Sequence, residues 1–141
     1  WSHIKGITMG GSDYSKESTS VTIINGVMEV PTTIRYYKSL LNGSWKHRIK
    51  SIFKGEYVWL RPAMSSLAGM KRILDIVDNE PDVDFVEFML HSSEVMPNGS
   101  PYFRTEEDIE REYKTIEALF AYARSKGYEG CTLAEYYKKQ V

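Results

Sequence analysis

The stretch Val86-Glu87-Phe88-Met89-Leu90-His91-Ser92-Ser93-Glu94 is an apolar run that stops at a histidine, followed by two hydroxyls and a carboxylate. Read as a strand, it puts His91 at a strand's exit, where open α/β sheets and β/α barrels keep their chemistry. The segments around it agree with that class. From Tyr57 onward the order is strand, helix, strand, helix, strand, helix, which predicts parallel β/α units. Tyr57 to Leu60 makes a strand ending at Arg61-Pro62. Leu67, Met70, Ile73, Leu74 and Val77 then follow helical spacing behind Ser65 or Ser66 as N-cap, with Asn79 near the end.

The strand Phe85 to Leu90 comes next, and Thr105 heads the longest helix. Ile109, Tyr113, Ile116, Leu119, Phe120 and Ala123 are predicted to line its inward face, with Glu106, Glu107 and Asp108 at its positive end and Gly127 as C-cap. Tyr128 to Cys131 is a short strand candidate. Thr132 and Glu135 form a capping box for a last helix. Ahead of these units, Val21-Thr22-Ile23-Ile24 and Val27-Met28-Glu29-Val30 flank Asn25-Gly26, the pair that a type I′ hairpin turn demands. Pro31 should end regular pairing there or sit on an edge, although Thr32-Thr33-Ile34 could continue the strand beyond it. The first twenty residues read as a loop, and a short helix is expected from Ser44.

Composition narrows the function. The 141 residues suit one domain, 1–141, and a net charge of -1 gives no field to draw in nucleic acid or an anionic membrane. No apolar run nears the ~20 residues needed to span a bilayer. A single cysteine, Cys131, excludes an internal disulfide; with no basic neighbour in sequence it is read as a core residue. Aromatic residues reach 13%, a level that suits a sugar-facing surface or a packed core equally.

Histidine titrates near neutrality, at ~6.5, and so can act as a general acid, or it can simply hydrogen-bond the following loop. Ser92 and Ser93 could bond a substrate or form a turn. Glu94 could tune the imidazole and is read as a solvated loop residue. Arg61 could hold a substrate carboxylate or pin a neighbouring acidic loop residue. Asp13 and Trp1 lie in the Gly/Ser-rich opening, where both could reach a ligand or Asp13 could simply cap a turn. His3 and His47 stand singly, so a zinc site complete within this chain is not expected, and Gly10-Gly11 alone is too little for a phosphate loop.

Three phrases carry a resemblance: Gly26-Val27-Met28-Glu29-Val30-Pro31-Thr32-Thr33-Ile34; Leu60-Arg61-Pro62; and Phe88 to Glu94 with Met96-Pro97-Asn98-Gly99-Ser100-Pro101-Tyr102. In these, most of the chain resembles the C-terminal half of a polysaccharide deacetylase of the NodB-like branch found beside cell-surface polysaccharide genes. The resemblance implies the C-terminal portion of a distorted β/α barrel, here with an N-terminal β-hairpin. It also implies a divalent metal, usually zinc, that activates water against an N- or O-acetyl carbonyl. By position, His91 matches the family's general acid, and Met89 matches the wall around the acetyl methyl. Apart from the resemblance, Ser92 and Arg61, read from their places after the strand ends, complete the expected substrate-binding set.

The family's paired aspartates and His-x-x-x-His do not occur here, so no metal ligand transfers. The expectation is a piece of an enzyme, inactive alone, whose partners are a carbohydrate and either the missing N-terminal half or a second copy. Its location is left open between the cytoplasm and the cell envelope of a bacterium. The alternative is a noncatalytic saccharide-binding or assembly module using Trp1, Trp45 and Trp59.

Overall fold

A computed structural model describes residues 19–38 and 55–140. The loop before residue 19, the helix expected from Ser44, and Trp1, His3, Asp13, Trp45 and His47 lie outside them. The described chain is mixed α and β, with two small antiparallel sheets and three α-helices. Strands β1 (Thr22–Ile24) and β2 (Val27–Glu29) pair around Asn25 and Gly26, which hold φ of 53° and 81°. Both angles lie in the left-handed region that a type I′ turn requires. Pairing stops before Pro31, which has no N–H to give.

Strands β3 (Ile34–Tyr37) and β4 (Glu56–Trp59) form the second sheet, with Arg35 opposite Val58 and Tyr36 opposite Tyr57. Leu60 N donating to Thr33 O at 3.0 Å extends the pairing by one step. The two-residue side-chain period divides the faces. Thr33, Arg35, Val58 and Leu60 are buried, while the Tyr36 and Tyr57 rings meet at a 56° tilt, 5.0 Å apart, on the open face. Arg35 is tolerated inside because Glu80 takes its Nε and NH2 in a fork at 2.6–3.0 Å. Gly55, at φ 71°, enters β4 where a Cβ would stand 2.6 Å from the Tyr36 ring, so a larger residue would strain the backbone and displace that ring.

Helix α1 (Leu67–Val77) starts at Ser66, whose Oγ accepts from Gly69 N at 3.1 Å. It buries Met70, Ile73, Leu74 and Val77 against Val58, Leu60 and Leu119. Helix α2 (Glu106–Ser125) is capped by Thr105 and Asp108 reciprocally, and it ends with Gly127 at φ 91°. Gly127 N bonds Arg124 O and Tyr128 N bonds Ala123 O, which satisfies the last carbonyls. Lys126 clamps α2 to α1 through Asp75 at 2.9 Å and Asp78 at 2.5 Å. Helix α3 (Leu133–Gln140) starts from the Thr132–Glu135 box and is anchored by Tyr136 Oη donating to Asp84 at 2.7 Å.

Both pairings among the described residues are antiparallel, and a barrel is not shown among them. Several finer expectations are corrected. Phe85–Leu90 builds no ladder: Met89 N donates to Leu60 O at 3.1 Å, but Glu87 N finds the Thr33 side-chain Oγ1, at 2.7 Å, where a ladder would supply a carbonyl. Tyr128–Cys131 forms no strand with the other described residues, and Cys131 is exposed. On α2 the inward stripe is Ile109, Glu112, Ile116 and Leu119. Tyr113 and Phe120, one residue further round the helix, are exposed at 46% and 47%. Phe120 instead meets Phe88 edge-on at 5.1 Å, beside an open trough of about 1010 Å³ that Phe85, Val86, Ala123 and Leu133 also line.

Ile73 is fully buried at the centre of this core. Ile73→Ala is expected to lower the unfolding free energy by about 2–5 kcal/mol, as read from urea denaturation. A loss below ~1 kcal/mol would show that α1 does not carry the core.

Candidate functional site

Leu60 is buried at the end of β4, and the next residue, Arg61, leaves the sheet. Its carbonyl accepts from Met64 N at 3.1 Å, so the chain turns at once through Pro62. The Arg61 guanidinium NH2 pairs with Glu94 Oε1. Glu94 lies on a 3-10 turn, Ser92–Val95, that begins directly after His91. Glu94 N donates to His91 O at 2.9 Å, and its second oxygen, Oε2, faces His91 N at 3.4 Å.

These contacts set each predicted residue in place. His91 is exposed, at the head of a turn held from below by a charge pair. Met89 is half-buried and tied to Leu60 by its N–H. Ser92 and Ser93 are exposed on the turn. Arg61 and His91 come together through Glu94, with the Arg61 NH2 engaged by the carboxylate. Glu94 departs from its expected solvated role: it is 1% exposed. A carboxylate can be held there because the guanidinium offsets the loss of water.

Glu112 escaped the sequence reading. It sits three residues after Ile109 and four before Ile116, so the helical period alone placed it inward. It is 2% exposed, and neither carboxyl oxygen has a hydrogen-bond partner among the described residues. Burial, and after it the negative charge of Glu94, push its pKa from an ordinary 4.5 up to about 7, against the pull of Arg61. Two carboxyls thus share the field of one guanidinium, whose Nε is itself buried with no hydrogen-bond partner among the described residues. The arrangement can hold a proton near neutrality on Glu112 and present an imidazole to solvent at His91.

Among the described residues, no group of three or more His, Cys, Asp or Glu side chains comes together to hold a metal ion. Those residues therefore do not fit the zinc that the resemblance implies. No helix among them is long and apolar enough to cross a membrane. Comparison of the chain with protein-family models, curated proteins and solved structures finds no match.

The raised pKa of Glu112 has a sign. Between about 4.5 and 7 the unfolded chain releases this proton while the folded chain keeps it. The stabilising contribution is full below that window and is lost as pH rises through it. Glu112→Gln is expected to flatten the fall in Tm between pH 5 and pH 8 and to raise stability at pH 8, on the order of 3 kcal/mol. An unchanged slope in thermal unfolding would show that Glu112 is already ionised in the folded state.

Proposed function

We propose that this chain is the C-terminal portion of a metal-dependent carbohydrate deacetylase acting on N- or O-acetyl groups. His91 is its general acid, and the metal-binding half is supplied by other parts of the enzyme. The observation that carries the reading is the exposed imidazole of His91 on a turn anchored by the buried Arg61–Glu94 pair. A general acid has to meet its substrate in solvent-accessible space yet keep a fixed position, and this anchoring provides both. In the reaction, His91 gives its proton to the leaving nitrogen or oxygen as the bond to the acetyl carbon breaks. Met89 lies beside Leu60 and supplies apolar surface for the acetyl methyl, and Ser92 can bond the sugar. Arg61 positions the histidine turn through Glu94.

The barrel portion of the proposal draws on the Phe85–Leu90 segment, whose backbone is only partly paired, and on the apolar trough beside it. Such surfaces favour cover by further strands or a second copy. One observation favours a different reading, a noncatalytic saccharide-binding module. Tyr36 and Tyr57 present a pair of mutually tilted rings that are more than half exposed, an aromatic surface suited to sugar C–H groups.

Acetate release by the full-length protein from an acetylated oligosaccharide decides between them. His91→Ala is expected to cut the rate at least ~100-fold, the scale of lost general-acid help. Full activity in that variant would remove His91 from the mechanism, and an inactive wild-type protein that still binds the oligosaccharide would favour the module.

A further inference from the structure

Arg61 uses only half of the edge that a guanidinium offers a carboxylate. Nε and NH2 lie along one edge, and at Arg35 that edge takes both oxygens of Glu80 in a fork. At Arg61 the NH2 pairs with Glu94 Oε1, while the other Glu94 oxygen faces His91 N. The Arg61 Nε is left buried with no hydrogen-bond partner among the described residues, and so are both carboxyl oxygens of Glu112 on α2. A buried donor and a buried carboxyl that each lack a partner are both unfavourable, and each is the complement of the other.

The surroundings of Glu112 leave few other partners. A cavity of about 260 Å³ beside it is walled by Pro62 and Ser65 of the turn after β4, by Tyr102, and by Asp108 and Arg111 of its own helix. Asp108 and Arg111 are paired with each other. On α1, Lys71 lies over the Tyr122 ring at 4.8 Å, and Arg72 acts on Asp75. Arg61 and Glu94 remain as the charges that act on Glu112, one attracting it and one repelling it. We propose that Glu112 is a positioning residue for the His91 turn, competing with Glu94 for the Arg61 guanidinium: protonated, it leaves Arg61 to Glu94, and ionised, it takes the Nε–H. The proton leaves to solvent, and an Nε–H to carboxylate hydrogen bond forms in its place. Burial and the charge of Glu94 set that loss at about 7. Above it Arg61 is divided between two carboxylates, so the Ser92–Val95 turn is held less firmly than below it. The inference rests on the deacetylase reading only for the use made of His91; the competition itself belongs to the three charges.

An NMR pH titration of the Arg61 Nε–H and of the Ser93 and Glu94 amides tests it, run on the full-length protein carrying His91→Gln so that the imidazole does not titrate beside the turn. Between about pH 5 and about pH 9 these signals are expected to move together with a midpoint of about 7, the Nε–H downfield as it gains a charged acceptor. Adding Glu112→Gln, with folding checked by Tm, should abolish the shared transition. A silent Arg61 Nε–H, a transition that survives in the folded Glu112→Gln protein, or an Nε–H shift with no response at Ser93 and Glu94 would each overturn the proposal. The first and last of these are read without changing Glu112, so they decide the matter even where that variant does not fold. Acetate release by the wild-type protein reports separately. An inactive protein whose Nε–H still titrates with the turn would remove the deacetylase reading and keep the competition, and an active one with a silent Nε–H would do the reverse.

Discussion

The placement of His91 depends on one buried ion pair, Arg61 with Glu94. Glu94 is almost fully withdrawn from water, so its charge must be met within the protein, and Arg61 meets it as the chain leaves β4. The second Glu94 oxygen turns back to the His91 backbone. Two residues earlier, Met89 is tied to Leu60 at the end of the same strand. The histidine is therefore fixed on both sides by one strand end, while its ring stays in solvent. Buried pairs add little net stability but are costly to break, so a pair in this position acts chiefly to hold geometry.

Glu112 makes this a three-charge problem. Its neighbours supply one guanidinium for two carboxyls, and burial strengthens the repulsion between Glu94 and Glu112. A sequence selected for stability alone would place an apolar residue at this point of the α2 stripe, as it does at Ile109, Ile116 and Leu119. Perturbed carboxyls cluster at functional sites more than elsewhere.

Much of the fold was legible because its signals are local. Asn25-Gly26 needs no tertiary contact to favour a type I′ turn. Ser66, Thr105 and the Thr132–Glu135 box each cap their helix through bonds spanning three residues. Failures came where a residue's state depends on a distant neighbour. Phe85–Leu90 has strand composition, yet Thr33 meets Glu87 N with a hydroxyl, so no ladder develops. Cys131 was read as core and is exposed, since no described strand pairs with its segment. In the candidate site, His91 was visible as the polar end of an apolar run. Glu94 was misread as solvated because its cation sits thirty-three positions away, and Glu112 was masked by the apolar residues around it.

What the sequence determined by itself is the set of elements whose energetics close within a few residues: hairpin turn, helix caps, the apolar stripe of α1, and a histidine ending a hydrophobic run. The tertiary structure alone decided which charges are buried and what neutralises them. Burial and pairing join residues far apart along the chain, Arg61 to Glu94 and Arg35 to Glu80, and no local pattern encodes the dielectric that a side chain will meet once helices and sheet close around it.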